Sequence, residues 1–507
     1  LANVLALARR QSWRFVALGF IALFCFFPLF KVISLGFSHN WFGLLWSAKT
    51  ASILWFTLWQ AALSTLIVLL LAVPSAYAFY RLKFPGSRIL AAIITVPFVL
   101  PSIVVAIAIK SVWDGNGVLA VIAANVFMNY GFAARVIGVR WQNADPGIEE
   151  AAQLDGASGL QRYLWIGIRE IGPAISSAGL LTFLYCTTNF GLMLVLGGGR
   201  LHSLETTIYS ATSELLNLPL ASALVFLQCA VSVVLLFALR SHSTHTFGFG
   251  FSSARQELKS NQRPVTLFAI STSLLVVVLP IAALIRKSLA AGAGWRFSLA
   301  STSLSISLEN AALNSLRNAV VSCLIALGLG LFIVNRKNDR LLANLFRFPV
   351  GLSSVALGLG YLVTFSDGFF PLRKSWLITP IAQSIALIPL TIQIVAPAHH
   401  SVAAEFSEVA QSDGLDSWDF WWWIKRPLLR NSIFTALGYL AVVSVGEFGA
   451  ANILTYGDQA TLPTVLYQLL NKPGVINFQI ALALSVLLVA FTAAVALSVD
   501  LLGSYAE

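Results

Sequence analysis

Two stretches decide the fold: Glu150-Ala151-Ala152-Gln153-Leu154-Asp155-Gly156 and Glu408-Val409-Ala410-Gln411-Ser412-Asp413-Gly414. They coincide when the chain is slid against itself by 258 residues. The same offset lays Phe190-Gly191 on Phe448-Gly449, Leu204 on Leu462, Tyr209 on Tyr467 and Gln60-Ala61 on Asn318-Ala319. Agreement at one offset over that distance marks an internal duplication. Pro97 meets Pro349 only at an offset of 252, so six residues differ in length in the loop around Lys83 and Arg336.

Outside these stretches the chain is strongly apolar. Of its 507 residues, 58% are hydrophobic and 10% charged, with a mean hydropathy of +0.81, whereas soluble domains carry roughly 25% charged residues. A bilayer core about 30 Å thick requires about 20 apolar residues per helix, because backbone polar groups in lipid must be satisfied within the helix. Candidate spans are 15–35, 53–80, 89–109, 117–137, 173–196 and 217–239, then 265–285, 311–334, 348–365, 376–396, 432–454 and 477–500. The expected fold is therefore an all-α membrane protein of two homologous six-helix transmembrane halves. An even number of spans per half gives parallel repeats, with the substrate path between them. The halves are residues 1–239 and 265–507, joined by a cytoplasmic linker at 240–264 rich in Ser, Gly and His. The first span is expected to be retained, since no small-residue cleavage site follows its apolar stretch through Cys25 and Pro28.

The net charge of +11 is dispersed between the spans and not gathered on one module, which argues against a nucleic-acid partner. With the N-terminus inside, 21 of the 32 Lys and Arg fall at cytoplasmic ends and loops, so both termini are expected in the cytoplasm of a multi-pass protein of the cell (inner) membrane. Arg286-Lys287 and Arg373-Lys374 run against that trend. Cys25, Cys186, Cys229 and Cys323 each lie in a span and read as small apolar residues. His242 and His245 in the linker read as linker polarity and not as a metal site. No metal site and no catalytic constellation is expected.

The first quoted stretch reads as a short helix outside the bilayer. Asp145 can cap it, Pro146 suits its first position, early acids complement its dipole and Gly156 fits a left-handed stop. The second copy is expected to end likewise at Gly414. Small residues at Ala151, Ala152 and Ala410 permit close approach of another surface, and Glu150 and Glu408 supply fixed charge.

Both loops, near 145–170 and 400–430, resemble the EAA motif of permease subunits of ATP-binding-cassette (ABC) importers: Glu-Ala-Ala, three residues, then Gly. Glu150-Ala151-Ala152 with Gly156 fits fully. Glu408-Val409-Ala410 with Gly414 departs at the middle alanine, yet keeps Pro427 thirteen residues after the glycine, where the first half has Arg169. The resemblance implies a type I ABC importer permease fold. It also implies that each loop seats a coupling helix in one of two nucleotide-binding subunits, and that an external binding protein delivers the substrate. The chain carries no phosphate-binding loop, so ATP is expected to be used by the partner subunits, with no cofactor bound here. The fused two-half arrangement resembles the permeases for thiamine and for ferric iron. Leu196-Gly197-Gly198-Gly199, Leu204-Glu205-Thr206-Thr207-Ile208-Tyr209, Gly446-Glu447-Phe448-Gly449 and Thr461-Leu462-Pro463 favour the thiamine type.

Glu447 is an acid inside a predicted span, aligned with Asn189, and both are candidates for the translocation path. A hydrogen bond between helices is the competing role for each. Pro97, Pro101, Pro349 and Pro389 are expected to kink their helices, and Trp421-Trp422-Trp423 to anchor at the headgroups. The alternative to an ABC permease is a twelve-span secondary transporter, for which one intramembrane acid is thin support; ATP dependence of uptake separates the two. A membrane-embedded enzyme would need a spaced Ser/His/Asp or paired-carboxylate set that the spans lack.

Overall fold

The computed structural model describes residues 14–36, 41–142, 146–158, 161, 167–242, 256–257, 262–292, 294–295, 307–335, 340–366, 372–412 and 419–504. Among them, nine helices are long and apolar enough to cross a bilayer. Three bent pairs bring the spans to twelve if each pair is one span. The chain is a multi-pass, all-helical membrane protein. Its extended structure among the described residues is one parallel pairing of Leu82–Lys83 with Gln256–Glu257. That pairing, with a hydrogen bond from Gln262 Nε2 to Tyr77 Oη at 2.9 Å, ties the end of the linker to the loop after the second span. Most of the linker, His245 included, and the predicted cap Asp145 lie outside the described residues.

The helices gather into two compact units that do not follow the sequence halves. One comprises Leu1–Leu54, Ser203–Val233 and Ser301–Val465, the other Trp55–His202, Val234–Ala300 and Leu466–Glu507. We call them the second-repeat unit and the first-repeat unit, after the repeat that supplies most of each. In the second-repeat unit the chain's first span is held by Tyr361 Oη, which donates to the carbonyl of Phe24 at 2.7 Å, and by Gly360 lying against Pro28. In the first-repeat unit the opening span of the other half is held in a matching way. Tyr130 Oη reaches Ser75 Oγ at 2.7 Å and Ser273 Oγ at 3.0 Å. At that span's far end Lys287 Nζ bonds Asp114 Oδ1 at 3.1 Å and the carbonyl of Lys110 at 3.2 Å. Each opening span therefore packs in the unit named for the other repeat.

Bends occur at corresponding positions of the two repeats. Ser87–Val99 and Ser102–Val112 meet at 111°, as do Leu345–Gly351 and Ser354–Phe365. The first bend has a proline cause: Leu100, before Pro101, is extended (φ −69°, ψ 144°), because the Pro ring disfavours helical backbone on its predecessor. The second bend places Ser353 where the offset of 252 puts Pro101. There Leu352 is again extended (φ −79°, ψ 137°), and Ser353 Oγ caps the next helix by accepting from the Ala356 amide at 3.0 Å. Different residues thus impose one geometry. Pro389 lies with Pro397 inside the helix Ile378–Ser412, which runs on through both prolines without a break.

Close packing within each unit uses small residues, as helices in lipid do. A side chain on Gly131 would collide with the backbone carbonyl of Ile94 in the first-repeat unit, so only glycine lets those helices approach.

Candidate functional site

The offset of 258 places Gln60, Ser64, Asn125, Cys186 and Asn189 on Asn318, Ser322, Gln383, Ser444 and Glu447. Each set supplies most of one buried polar cluster at a span's break. In the first-repeat unit, Asn189 sits between Gly172–Thr187 and Phe190–Leu196, which bend by 53°. Its Nδ2 faces Asn125 Oδ1 at 3.4 Å. Asn125 Nδ2 donates to Gln60 Oε1 at 3.1 Å and Ser64 Oγ at 3.4 Å, and Gln60 Nε2 donates to the carbonyl of Cys186 at 3.1 Å. Asn189 is 9% exposed and serves this helix-bridging network. Such bonds in membranes contribute about 0.6 kcal/mol each on average, so their value lies in fixing register as well as in stability.

In the second-repeat unit the corresponding break falls at Glu447 and Phe448, between Arg426–Gly446 and Gly449–Leu454. The sequence placed Glu447 within a continuous span; the structure places it where the helix stops. Its carboxylate caps the following turn, accepting from the Ala450 amide at 2.8 Å and the Ala451 amide at 3.1 Å. An acid at a helix N-terminus is stabilised by the unpaired amides and the helix dipole. Gln383 and Ser354 also hydrogen-bond to it. Ser444 Oγ donates to Gln383 Oε1 at 3.0 Å and meets Ser322 Oγ at 2.8 Å. A cavity of about 10 Å³, lined among others by Glu447, Gln383, Ser353 and Ser354, opens beside the carboxylate. That is room for about one water.

Sequence reasoning passed over Glu205. It is 1% exposed, and its Oε2 accepts from Ser353 Oγ at 2.6 Å. Burial pushes its carboxyl up to about 8, against the opposing pull of the Ser353 bond. Glu205 opens the helix Leu204–Ser213 behind a capping box of Ser203 and Thr206. The offset carries that pair to Thr461 and Thr464, whose amide–hydroxyl bond is 2.8 Å.

The two EAA stretches are built differently. Pro146–Leu154 is a separate helix. Gly156 follows it with φ +84°, its amide bonding the Gln153 carbonyl at 3.1 Å and the Ala157 amide bonding the Ala152 carbonyl at 3.0 Å. This is a glycine C-cap of the Schellman type. Ala151 is exposed and Ala152 half-buried, while Ile148 and Leu154 present apolar side chains to the outside at 48% and 88% exposure. In the second copy Glu408 and Ala410 lie in the last turns of the 35-residue helix Ile378–Ser412, so the fourth span of that half runs on into the motif. Gly414 lies outside the described residues. The offset explains the difference: Asp145-Pro146, a cap and a first-turn proline, becomes Ala403-Ala404, which favours uninterrupted helix.

Among the described residues no group of three or more His, Cys, Asp or Glu is arranged to hold a metal ion. Cys25, Cys186 and Cys323 are buried, Cys229 is partly so, and all four are free thiols. Trp421, Trp422 and Trp423 fall in the π-helical turn Phe420–Lys425 that opens the eleventh span. Trp422 and Trp423 are exposed, and the Arg426 guanidinium lies 4.5 Å from the Trp422 ring centroid, an arrangement suited to the headgroup zone.

This duplicated helical architecture, bent at matched positions and carrying two EAA stretches, is that of an ABC-transporter permease. Residues 68–286 match the family described as binding-protein-dependent transport system inner membrane component. Over most of its length it is similar to proteins named thiamine transport system permease protein. The relative from Brucella abortus is 26% identical over 454 residues, covering 83% of this chain and 81% of the relative. The relative from Haemophilus influenzae is 24% identical over 526 residues, covering 95% and 96%. A sulfate transport system permease protein of Salmonella typhimurium is 28% identical over 185 residues, covering 33% of this chain and 66% of that one.

Proposed function

We propose that this permease moves a small organic cation of the thiamine type inward, that an external binding protein delivers it, and that two separate ATPase subunits drive the movement. The observation that carries the substrate class is the similarity, across more than four-fifths of the chain, to permeases named for thiamine. ATP is hydrolysed in the partners, and this chain binds no cofactor of its own. Both termini lie in the cytoplasm, as the distribution of Lys and Arg favours.

The docking surfaces are the two EAA stretches: Glu150, Ala151, Ala152 and Gly156 in one, Glu408, Ala410 and Gly414 in the other. Exposed Ile148 and Leu154 add apolar area to the first, the kind of surface a protein partner covers. Closure of the ATPases then displaces helices whose breaks sit at Asn189 and Glu447, the two candidate path positions. Glu447 favours a cation electrostatically and holds the break in shape, whereas Asn189 offers no charge.

Uptake of labelled thiamine by cells expressing the chain with its ATPase and binding protein tests this reading. It should be saturable, and absent when the ATPase carries an inactivated phosphate-binding loop. Uptake that survives ATPase inactivation and follows a proton or sodium gradient would establish a secondary transporter instead.

A further inference from the structure

Three helices of the second-repeat unit meet at Asn335, His399 and Lys425. Asn335 follows Leu308–Val334 as its C-terminal cap, His399 lies within Ile378–Ser412, and Lys425 ends the π-helical turn Phe420–Lys425. Asn335 Oδ1 stands 3.1 Å from His399 Nε2 and accepts from Lys425 Nζ at 3.2 Å; Nζ and Nε2 are 3.4 Å apart. One amide oxygen, with two lone pairs, can thus take a donor from each of two other helices. His399 is only 3% exposed.

The location in sequence gives the cluster its meaning. His399 precedes Glu408 by nine residues and Lys425 follows Gly414 by eleven, so the two stand on the two arms of the second EAA stretch. π-Helical turns inside longer helices often mark functional positions, and Lys425 closes one.

The repeat supplies an internal control. The offset of 258 carries Asn335, His399 and Lys425 to Tyr77, Trp141 and Gly167. There the Tyr77 and Trp141 rings pack with centroids 5.0 Å apart, joining two helices. Gly167, with no side chain, cannot add a tie of the Lys425 kind. The same junction is therefore an aromatic pair in one repeat and a polar three-helix tie in the other.

We infer that Asn335, His399 and Lys425 form a positioning clasp. It fastens both arms of the second docking stretch to the end of the Leu308–Val334 helix, so that movement of the stretch by an ATPase displaces three helices together. None of the three touches substrate. The inference rests on reading residues 408–414 as an ATPase docking site.

The experiment has two arms, both with the full chain. In the purified chain in nanodiscs, Asn335→Leu should speed hydrogen exchange at the amides of residues 400–412 by about tenfold, leave those of 146–154 unchanged, and be reversed by Asn335→Asp, which keeps the acceptor. In the reconstituted complex, ATP hydrolysed per labelled thiamine moved should rise about threefold in Asn335→Leu and return towards wild type in Asn335→Asp. Lys425→Met replaces Asn335→Leu if the latter fails to insert, with the same expectations. Unchanged exchange, or an unchanged ATP-to-substrate ratio, overturns the clasp. If the wild type itself shows no ATP-driven thiamine uptake, the docking and substrate reading fails, while the exchange arm still decides whether the clasp fastens the stretch.

Discussion

The two breaks at Asn189 and Glu447 solve one structural problem with different chemistry. In the first-repeat unit an amide joins a network of side chains on neighbouring helices, reaching Asn125 at 3.4 Å and through it Gln60 and Ser64. In the second-repeat unit a carboxylate turns to the backbone and caps the next helix through the amides of Ala450 and Ala451. The neighbouring bends show the same pattern: both are 111°, one made by Pro101 and the other capped by Ser353. Duplication has kept the bends and let the residues that enforce them diverge. A carboxylate at one break and an amide at the other leave the two breaks chemically unequal.

That comparison can be broken most severely at the two EAA stretches. A chain carrying both Gly156→Asp and Gly414→Asp should insert normally and lose nearly all transport. At Gly156 a side chain must adopt φ near +84°, which costs about 1–2 kcal/mol per residue and favours a misplaced loop. Wild-type uptake at matched membrane levels would count against a coupling role for the two stretches. Next in size is Glu447→Leu, which leaves two helix-end amides without their acceptor at about 1–3 kcal/mol for each buried group. Thermal unfolding in detergent should reveal a large loss of stability. Glu447→Gln, keeping a carbonyl acceptor but no charge, should lose only about 1 kcal/mol and yet slow uptake of the cation. Equal uptake by Glu447→Gln and wild type would leave the carboxylate with its capping role alone.

The bends sharpen the comparison at smaller cost. Ser353→Ala should destabilise by about 1 kcal/mol through loss of the cap to Ala356 and by about 1–3 kcal/mol more through loss of the donor to buried Glu205 Oε2. Ser353→Pro should be tolerated better, since φ is −67° at Ser353 and Leu352 is already extended, the conformation a following proline demands. A thermal-shift series in which Pro is the worse of the two would contradict the equivalence of the bends.

Glu205→Gln should have the smallest effect at neutral pH, because a carboxyl pushed up to about 8 by burial is already mostly uncharged there. With the folded value raised from 4.5, this group's stability contribution is complete below the ordinary carboxylate range and is lost as pH rises through about 8. The wild type should therefore lose heat resistance towards pH 9, and Glu205→Gln should not share that loss. Parallel melting curves for the two across pH 6–9 would show that burial does not raise the Glu205 carboxyl above the ordinary carboxylate range.

Much of this was legible in the sequence, for physical reasons that also explain what was missed. Spans are readable because lipid demands long apolar helices, and all twelve expected segments correspond to a span or bent pair. The left-handed stop at Gly156 was readable because only glycine adopts that backbone without strain. The continuity of Ile378–Ser412 was missed by carrying the first copy's helix start to the second, although Ala403-Ala404 contains neither a cap nor a proline. The second bend falls just after Pro349, one of the expected kink positions; what was missed is the cap by which Ser353 starts the next helix. Asn125, Gln383, Ser444 and Glu205 were overlooked because polar residues inside apolar helices acquire partners only in three dimensions. The offset of 258 offered a signal for the first three, each of which has a counterpart able to hydrogen-bond. The assignment of each opening span to the unit named for the other repeat leaves no mark in hydropathy at all.

The most direct test of the whole account is transport by the purified chain in proteoliposomes, with the proposed ATPase subunits and binding protein and with labelled thiamine supplied on the binding-protein side. The account predicts accumulation that requires ATP and binding protein together, persists when ion gradients are collapsed, and vanishes in the Gly156→Asp, Gly414→Asp double variant. Accumulation without ATP, driven by an imposed proton or sodium gradient and unaffected by the double variant, would contradict it.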